Sequence, residues 1–146
     1  MRFINDIIVH CSGNSIVNGK SQVHAADIKR MHKEDNGWKR CGYHYIVECD
    51  GTVVHTEPDS AVTSHCKGHN AHSIGICYIG GIDADGEPTD TRTRAQKAAL
   101  LKKIYQLITL YRCPVHGHRD YSSKPCPSFD ATAEYKSIYE KIIGLK

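Results

Sequence analysis

The stretch SSKPCPSFD, Ser122 to Asp130, sets a thiol between two prolines, with a lysine two residues before it. Pro125 and Pro127 each fix one φ angle and restrict the residue before them, so the Cys126 sulfur has few directions in which to point. A thiol that only fills a core does not need that stiffness. His118 lies eight residues upstream, at the end of the short segment PVHGH, and His10 lies near the end of the apolar run DIIVHC. Two imidazoles and a thiolate form a donor set that borderline-soft zinc accepts, whereas magnesium and calcium prefer oxygens. Three protein ligands leave the fourth tetrahedral position for water or substrate. Only the thiolate binds, so a metal must lower the pKa of Cys126. The spacing by itself is weakly specific, because no CxxC pair or HExxH helix accompanies it. Read singly, His10 is also a core histidine and Cys126 also a buried thiol. His116 competes with His118 for the ligand role, and the eight-residue gap to Cys126 favours His118.

Those residues need elements to hold them. DIIVHCS, Asp6 to Ser12, reads as a buried β-branched strand, and Cys11 alternates to the face opposite His10. Ser21 is expected to cap a helix running to about Asp35, with His24, Ile28, Met31 and His32 on one face and Asn36-Gly37 as its stop. Tyr43 to Thr56 reads as a hairpin turning at Asp50-Gly51, with Tyr43 and Tyr45 on a common face. A second buried strand spans about Ser73 to Ile79. Thr93 and Gln96 form a capping box for a helix to about Tyr111, whose inner face is Ala98, Leu101, Tyr105 and Ile108. PVHGH is a short strand ending at His118. Asp130 caps a last helix with Tyr135, Ile138, Tyr139 and Ile142 inward. Strands and helices interleave around one antiparallel hairpin. The expected fold is therefore α/β, a single domain over 1–146 with a mixed central β-sheet and helices packed on its faces.

Composition narrows the function classes. The 146 residues are 40% hydrophobic, enough for one core and short for two domains. Lys and Arg total 19 against 16 Asp and Glu, a net charge of +3. That charge suits an anionic polymer, and no run of like charges suggests a nucleic-acid arm. No apolar run reaches the ~20 residues of a membrane span. Asn5 and Asp6 interrupt the N-terminal apolar stretch, so no secretory signal is read and synthesis in the cytoplasm is expected. Seven cysteines without an export signal are expected to be reduced.

Four blocks occur in order at fitting distances: VHCSGN, GWKRCGYHYIVECDGTV, SHCKGHNAHSIGICYIGGID and HRDYSSKPCPSFD. Together, over about residues 5 to 130, the sequence resembles the zinc-dependent N-acetylmuramoyl-L-alanine amidases of the T7-lysozyme and peptidoglycan-recognition-protein type. The resemblance implies hydrolysis of the amide between N-acetylmuramic acid and L-alanine in peptidoglycan or muropeptides, with Zn2+ as cofactor. It implies His10, His118 and Cys126 as metal ligands, and Tyr43 and Lys124 as catalytic residues. It places His65 in the substrate groove, and Asn70 with Gly80 and Gly81 is expected to shape that groove.

Zinc would acidify bound water and polarise the carbonyl. Lys124 would offset the oxyanion, and Tyr43, a poor base at an ordinary pKa near 10, would position and stabilise. The resemblance also leaves open a non-catalytic peptidoglycan-binding module and an inhibitor of an RNA polymerase. The Cys ligand favours the enzyme. A structural zinc module is a further alternative, and it would need four protein ligands. A monomer is expected, acting on the cell wall by a route of exit the sequence does not show.

Overall fold

The computed structural model describes residues 2–144. Five strands form the central sheet, running from Val53–His55 at one edge through Tyr45–Val47, Ser73–Tyr78 and Asp6–Cys11 to Val115–Gly117 at the other. In chain order they are β1 (Asp6–Cys11), β3 (Tyr45–Val47), β4 (Val53–His55), β5 (Ser73–Tyr78) and β7 (Val115–Gly117). β1 pairs in parallel with both β5 and β7, β3 pairs in parallel with β5, and β3 and β4 form the antiparallel hairpin. A small second sheet joins β2 (Asn14–Ser15) to β6 (Gly81–Ile82). The mixed sheet expected from the interleaved elements is therefore present.

β1 and β5 are buried at every position, which accounts for the Ile7-Ile8-Val9 run of the first and for the lack of any charged residue in the second. Successive residues of a strand alternate between faces. Ile7, Val9 and Cys11 accordingly join Tyr45, Val47, Ile74 and Ile76 in the larger core. That layer is closed by α2 (Arg94–Tyr111) and α3 (Ala131–Ile143). A smaller apolar cluster on other positions gathers Ile46, Cys77 and Ile79 with Ala25 and Ile28 of α1 (Ala25–Arg30).

The helix caps show where local sequence decides structure. Thr93 Oγ1 accepts from Gln96 N at 3.0 Å and Gln96 Oε1 accepts from Thr93 N at 2.9 Å, the reciprocal pair expected. Asp130 Oδ1 accepts from Ala133 N at 3.1 Å and starts α3. The first helix departs from expectation. Ser21 folds back on Val23, and the helix begins after His24, whose N–H donates to Asp27 Oδ2 at 2.9 Å. The stretch Met31–Asp35 continues as a π-helical turn, and Met31 is exposed. The inner face of α2 is also set differently. Leu100, Ile104, Leu107 and Ile108 face the sheet, whereas Leu101 and Tyr105 are 45% and 55% exposed. Ala98, Leu101 and Tyr105 instead edge a groove against Ile138 and Ile142 of α3.

Candidate metal centre and its cleft

His10 sits near the C-terminal end of β1. His118 follows the C-terminal end of β7, opening a 3-10 turn (His118–Asp120) rather than ending the strand. The two strands are parallel neighbours, so their carboxyl ends share one edge of the sheet, the usual side for sites in such sheets. The Cys126 loop crosses that edge. Tyr78 Oη donates to Pro127 O at 2.6 Å, Ser128 Oγ donates to Gly81 O at 2.9 Å, and Ser128 N donates to Pro125 O at 2.8 Å. Both prolines and these bonds hold the sulfur against the end of β1, where Cys11 N donates to Cys126 Sγ at 3.1 Å.

One donor atom each from His10, His118 and Cys126 falls within 4.8 Å of the others, and no other such group of three occurs among the described residues. Cys126 Sγ lies 3.9 Å from His10 Nδ1. Ligand atoms about a tetrahedral zinc stand roughly 3.5 Å apart, given bonds near 2.0–2.3 Å. The residues present therefore fit such an ion with small adjustments. His116, the competing histidine, turns away: its Nδ1 pairs with Asp6 Oδ1 at 2.7 Å.

The electrostatics agree with the geometry. Burial, then the His65, His118 and Lys124 charges, holds His10 well below the usual histidine range. Burial and Lys124 lower His118 as well. Both imidazoles are thus in the neutral form that binds metal. The neighbouring Cys11 thiol and burial push the Cys126 thiol up, so its ionisation needs a nearby cation.

A cleft of about 330 Å3 opens over this centre, lined by Tyr43, His118, Lys124, Cys126 and the backbone at Gly81. Tyr43 lies with its ring 5.1 Å from that of His10. Burial and the Cys77, Cys126 and Cys11 thiols raise its phenol well above the ordinary range, so it is a hydrogen-bond donor. Tyr43 and Tyr45 do not share a face. Bends at Gly42 and His44 precede β3 and break the alternation, sending Tyr45 into the larger core and Tyr43 to the smaller cluster. Lys124 is exposed at the rim. Gly81, at φ +100, allows its backbone to lie against Cys11 Sγ, where a Cβ would collide.

The two residues expected at the groove, His65 and Asn70, both turn toward the interior. His65 is 8% exposed and stands behind His10 rather than in the cleft, with its Nδ1 2.9 Å from His10 Nε2. Asn70 faces inward too, its Oδ1 accepting from His65 N and Cys66 N at 3.0 and 2.8 Å. Neither lines the cleft. Sequence reasoning also missed Ser73, whose Oγ lies 2.9 Å from His65 Nε2. The available signal was Gly75 inside a strand, which marks a close approach. A Cβ there would fall 2.6 Å from His65 Cγ.

The family model described as N-acetylmuramoyl-L-alanine amidase matches residues 1–129. The chain is 42% identical over 127 residues to an endolysin of Klebsiella phage KP32, covering 86% of this chain and 82% of that one. It is 40% identical over 125 residues to the endolysin of Escherichia phage T7, covering 85% and 80%. Among solved structures it resembles the endolysin amidase LysCS from Clostridium intestinale, with TM-score 0.77, 25% identity, and 99% and 86% of the two chains covered. Sequence and fold agree, and the chain belongs to the N-acetylmuramoyl-L-alanine amidase family.

Proposed function

We propose that this chain hydrolyses the amide joining N-acetylmuramic acid to L-alanine in peptidoglycan, with zinc held by His10, His118 and Cys126. The convergence of those three donors at the floor of an open cleft carries the reading. Three ligands rather than four favour a catalytic over a structural ion. When bound, zinc acts as a Lewis acid toward a carbonyl and makes water more acidic.

The chain's own residues supply the rest. Lys124 sets a positive charge at the rim, where the scissile carbonyl gains negative charge during attack. Lys124 lines the same cleft as His118 and Cys126, which sets that charge beside the centre. Tyr43, which also lines the cleft, would orient the reacting groups through a hydrogen bond donated by its Oη. No Asp or Glu lines the cleft among the described residues. Protonation of the leaving amine therefore falls to Lys124 Nζ or Tyr43 Oη. The open mouth and the glycine-lined backbone suit an extended glycan-peptide better than a small enclosed substrate.

No helix among the described residues is long and apolar enough to cross a membrane. The cell wall is the proposed place of action, as the name endolysin says of the phage relatives. The test is release of new L-alanine amino termini from purified sacculi and, separately, from soluble muropeptides. Release from either substrate supports the amidase reading. Binding of wall without any new amino terminus overturns it in favour of recognition alone.

A further inference from the structure

The buried face behind the metal centre holds a chain of polar groups that the hydrolysis does not use. His10 Nε2 lies 2.9 Å from His65 Nδ1, His65 Nε2 lies 2.9 Å from Ser73 Oγ, and Ser73 Oγ lies 2.7 Å from His69 O. His10, His65 and Ser73 are all buried. The last link sets the direction. A carbonyl only accepts, so the Ser73 hydroxyl donates its one proton to His69 O. Ser73 Oγ then accepts from His65 Nε2–H. A neutral His65 carries no second ring proton, so its Nδ1 accepts from His10 Nε2–H. The remaining His10 nitrogen, Nδ1, presents a lone pair on the side of Cys126 Sγ, 3.9 Å away.

We propose that His65, backed by Ser73, is a positioning residue that fixes the His10 tautomer and makes Nδ1 the metal-binding atom. The inference rests on the metal reading above. The reverse polarity would place a proton on His10 Nδ1, facing the site where a cation must sit. Such partners behind a ligand histidine hold its ring and raise its basicity. The surroundings are built for the arrangement. Gly75 leaves the space that the His65 ring occupies, and Asn70 Oδ1 fastens the backbone on both sides of it. β5 carries both Ser73 and Gly75 and pairs with β1, so the relay and the ligand ride on neighbouring strands.

The test is nitrogen NMR of histidine-labelled, zinc-loaded protein together with zinc affinity by chelator competition. His10 should carry its proton on Nε2, with a coupling across the hydrogen bond to His65 Nδ1. His65→Leu should weaken zinc binding by ~10–100-fold. Ser73→Ala should weaken it less, and His65→Gln, whose side-chain oxygen can accept from His10, should recover most of the loss. A proton on His10 Nδ1, metal bound through Nε2, or unchanged affinity in folded His65→Leu and Ser73→Ala would overturn the proposal. Should His65→Leu fail to fold, the wild-type spectrum still decides. Wild-type protein that takes up no zinc would instead refute the metal reading, and the tautomer of His10 remains measurable in the metal-free protein.

Discussion

The two layers packed on the central sheet are built on opposite rules. The α2/α3 layer is dry: Ile7, Val9, Ile74 and Ile76 meet Leu100, Ile104 and Ile108, all fully buried. The face holding His10 mixes the apolar cluster of Ile46, Cys77 and Ile79 with a polar part, in which His10, His44, His65 and Ser73 are buried and each hydrogen-bonded. β1 serves both, because adjacent residues point to opposite faces. Dry burial adds stability without directing anything, at ~1.5–3 kcal/mol for each large apolar side chain. The polar layer gains little net stability per hydrogen bond, since each replaces a bond to water. What it gains is direction, because the hydrogen bonds among His10, His65 and Ser73 orient each partner. One face of a strand thus anchors the fold and the other aims the chemistry.

Breaking the polar side should cost activity and spare the fold. Cys126→Ser or His118→Ala should reduce release of L-alanine amino termini to background while thermal unfolding stays close to wild type. Full activity in either variant would remove the metal assignment. Breaking the dry side should do the reverse. Ile104→Ala should lower unfolding free energy by ~2–5 kcal/mol in denaturant titration, yet leave kcat unchanged where the protein is folded. A loss of kcat there would mean that the layers are coupled.

Lys124→Ala sharpens the contrast, since the side chain is exposed and packs against nothing the fold needs. It should lower kcat by ~10²-fold with KM little changed, and with no shift in unfolding midpoint. An unaltered kcat would place the ammonium outside the reaction.

The smallest effect concerns Asp59, which ties the dry layer's edge together through Tyr45 Oη and Tyr111 Oη. Burial would raise its pKa, but the Tyr111 and Tyr45 hydrogen bonds and nearby His55 and His44 outweigh it, and the folded value is lowered. A lowered carboxylate pKa adds stability that is present above the unfolded value, near 3.9, and is lost as pH falls through the folded one. Thermal unfolding of wild type should therefore weaken below about pH 4 more steeply than that of Asp59→Asn. Parallel profiles would refute the linkage.

Much of this was legible in the sequence, for identifiable reasons. β1 announces itself through its β-branched run, β5 through an uncharged stretch with Ile74 and Ile76, and the caps at Thr93 and Asp130 through local chemistry. The strand-end positions of His10 and His118 and the prolines around Cys126 only mark candidates in the sequence; the resemblance of the four blocks is what implies them as metal ligands. What stayed hidden depends on contacts distant in sequence. Periodicity gives the pitch of α2 but its phase is set by the sheet, so the sequence alone puts Leu101 and Tyr105 inside. The bends beside Tyr43 leave no clear sequence mark, so the face it takes could not be read from alternation. The groove role of His65 is implied only by the resemblance of its block, while its contacts with Ser73 and Gly75, eight and ten residues later on another element, leave no local mark in the sequence.

The central claim is that His10, His118 and Cys126 together hold one catalytic zinc. Elemental analysis of protein purified without chelators, paired with the amidase assay on the same samples, tests it most directly. The account predicts one zinc per wild-type chain, none retained by Cys126→Ser, and activity that disappears on chelation and returns with added zinc. Metal-free wild-type protein that cleaves peptidoglycan at the full rate would contradict it.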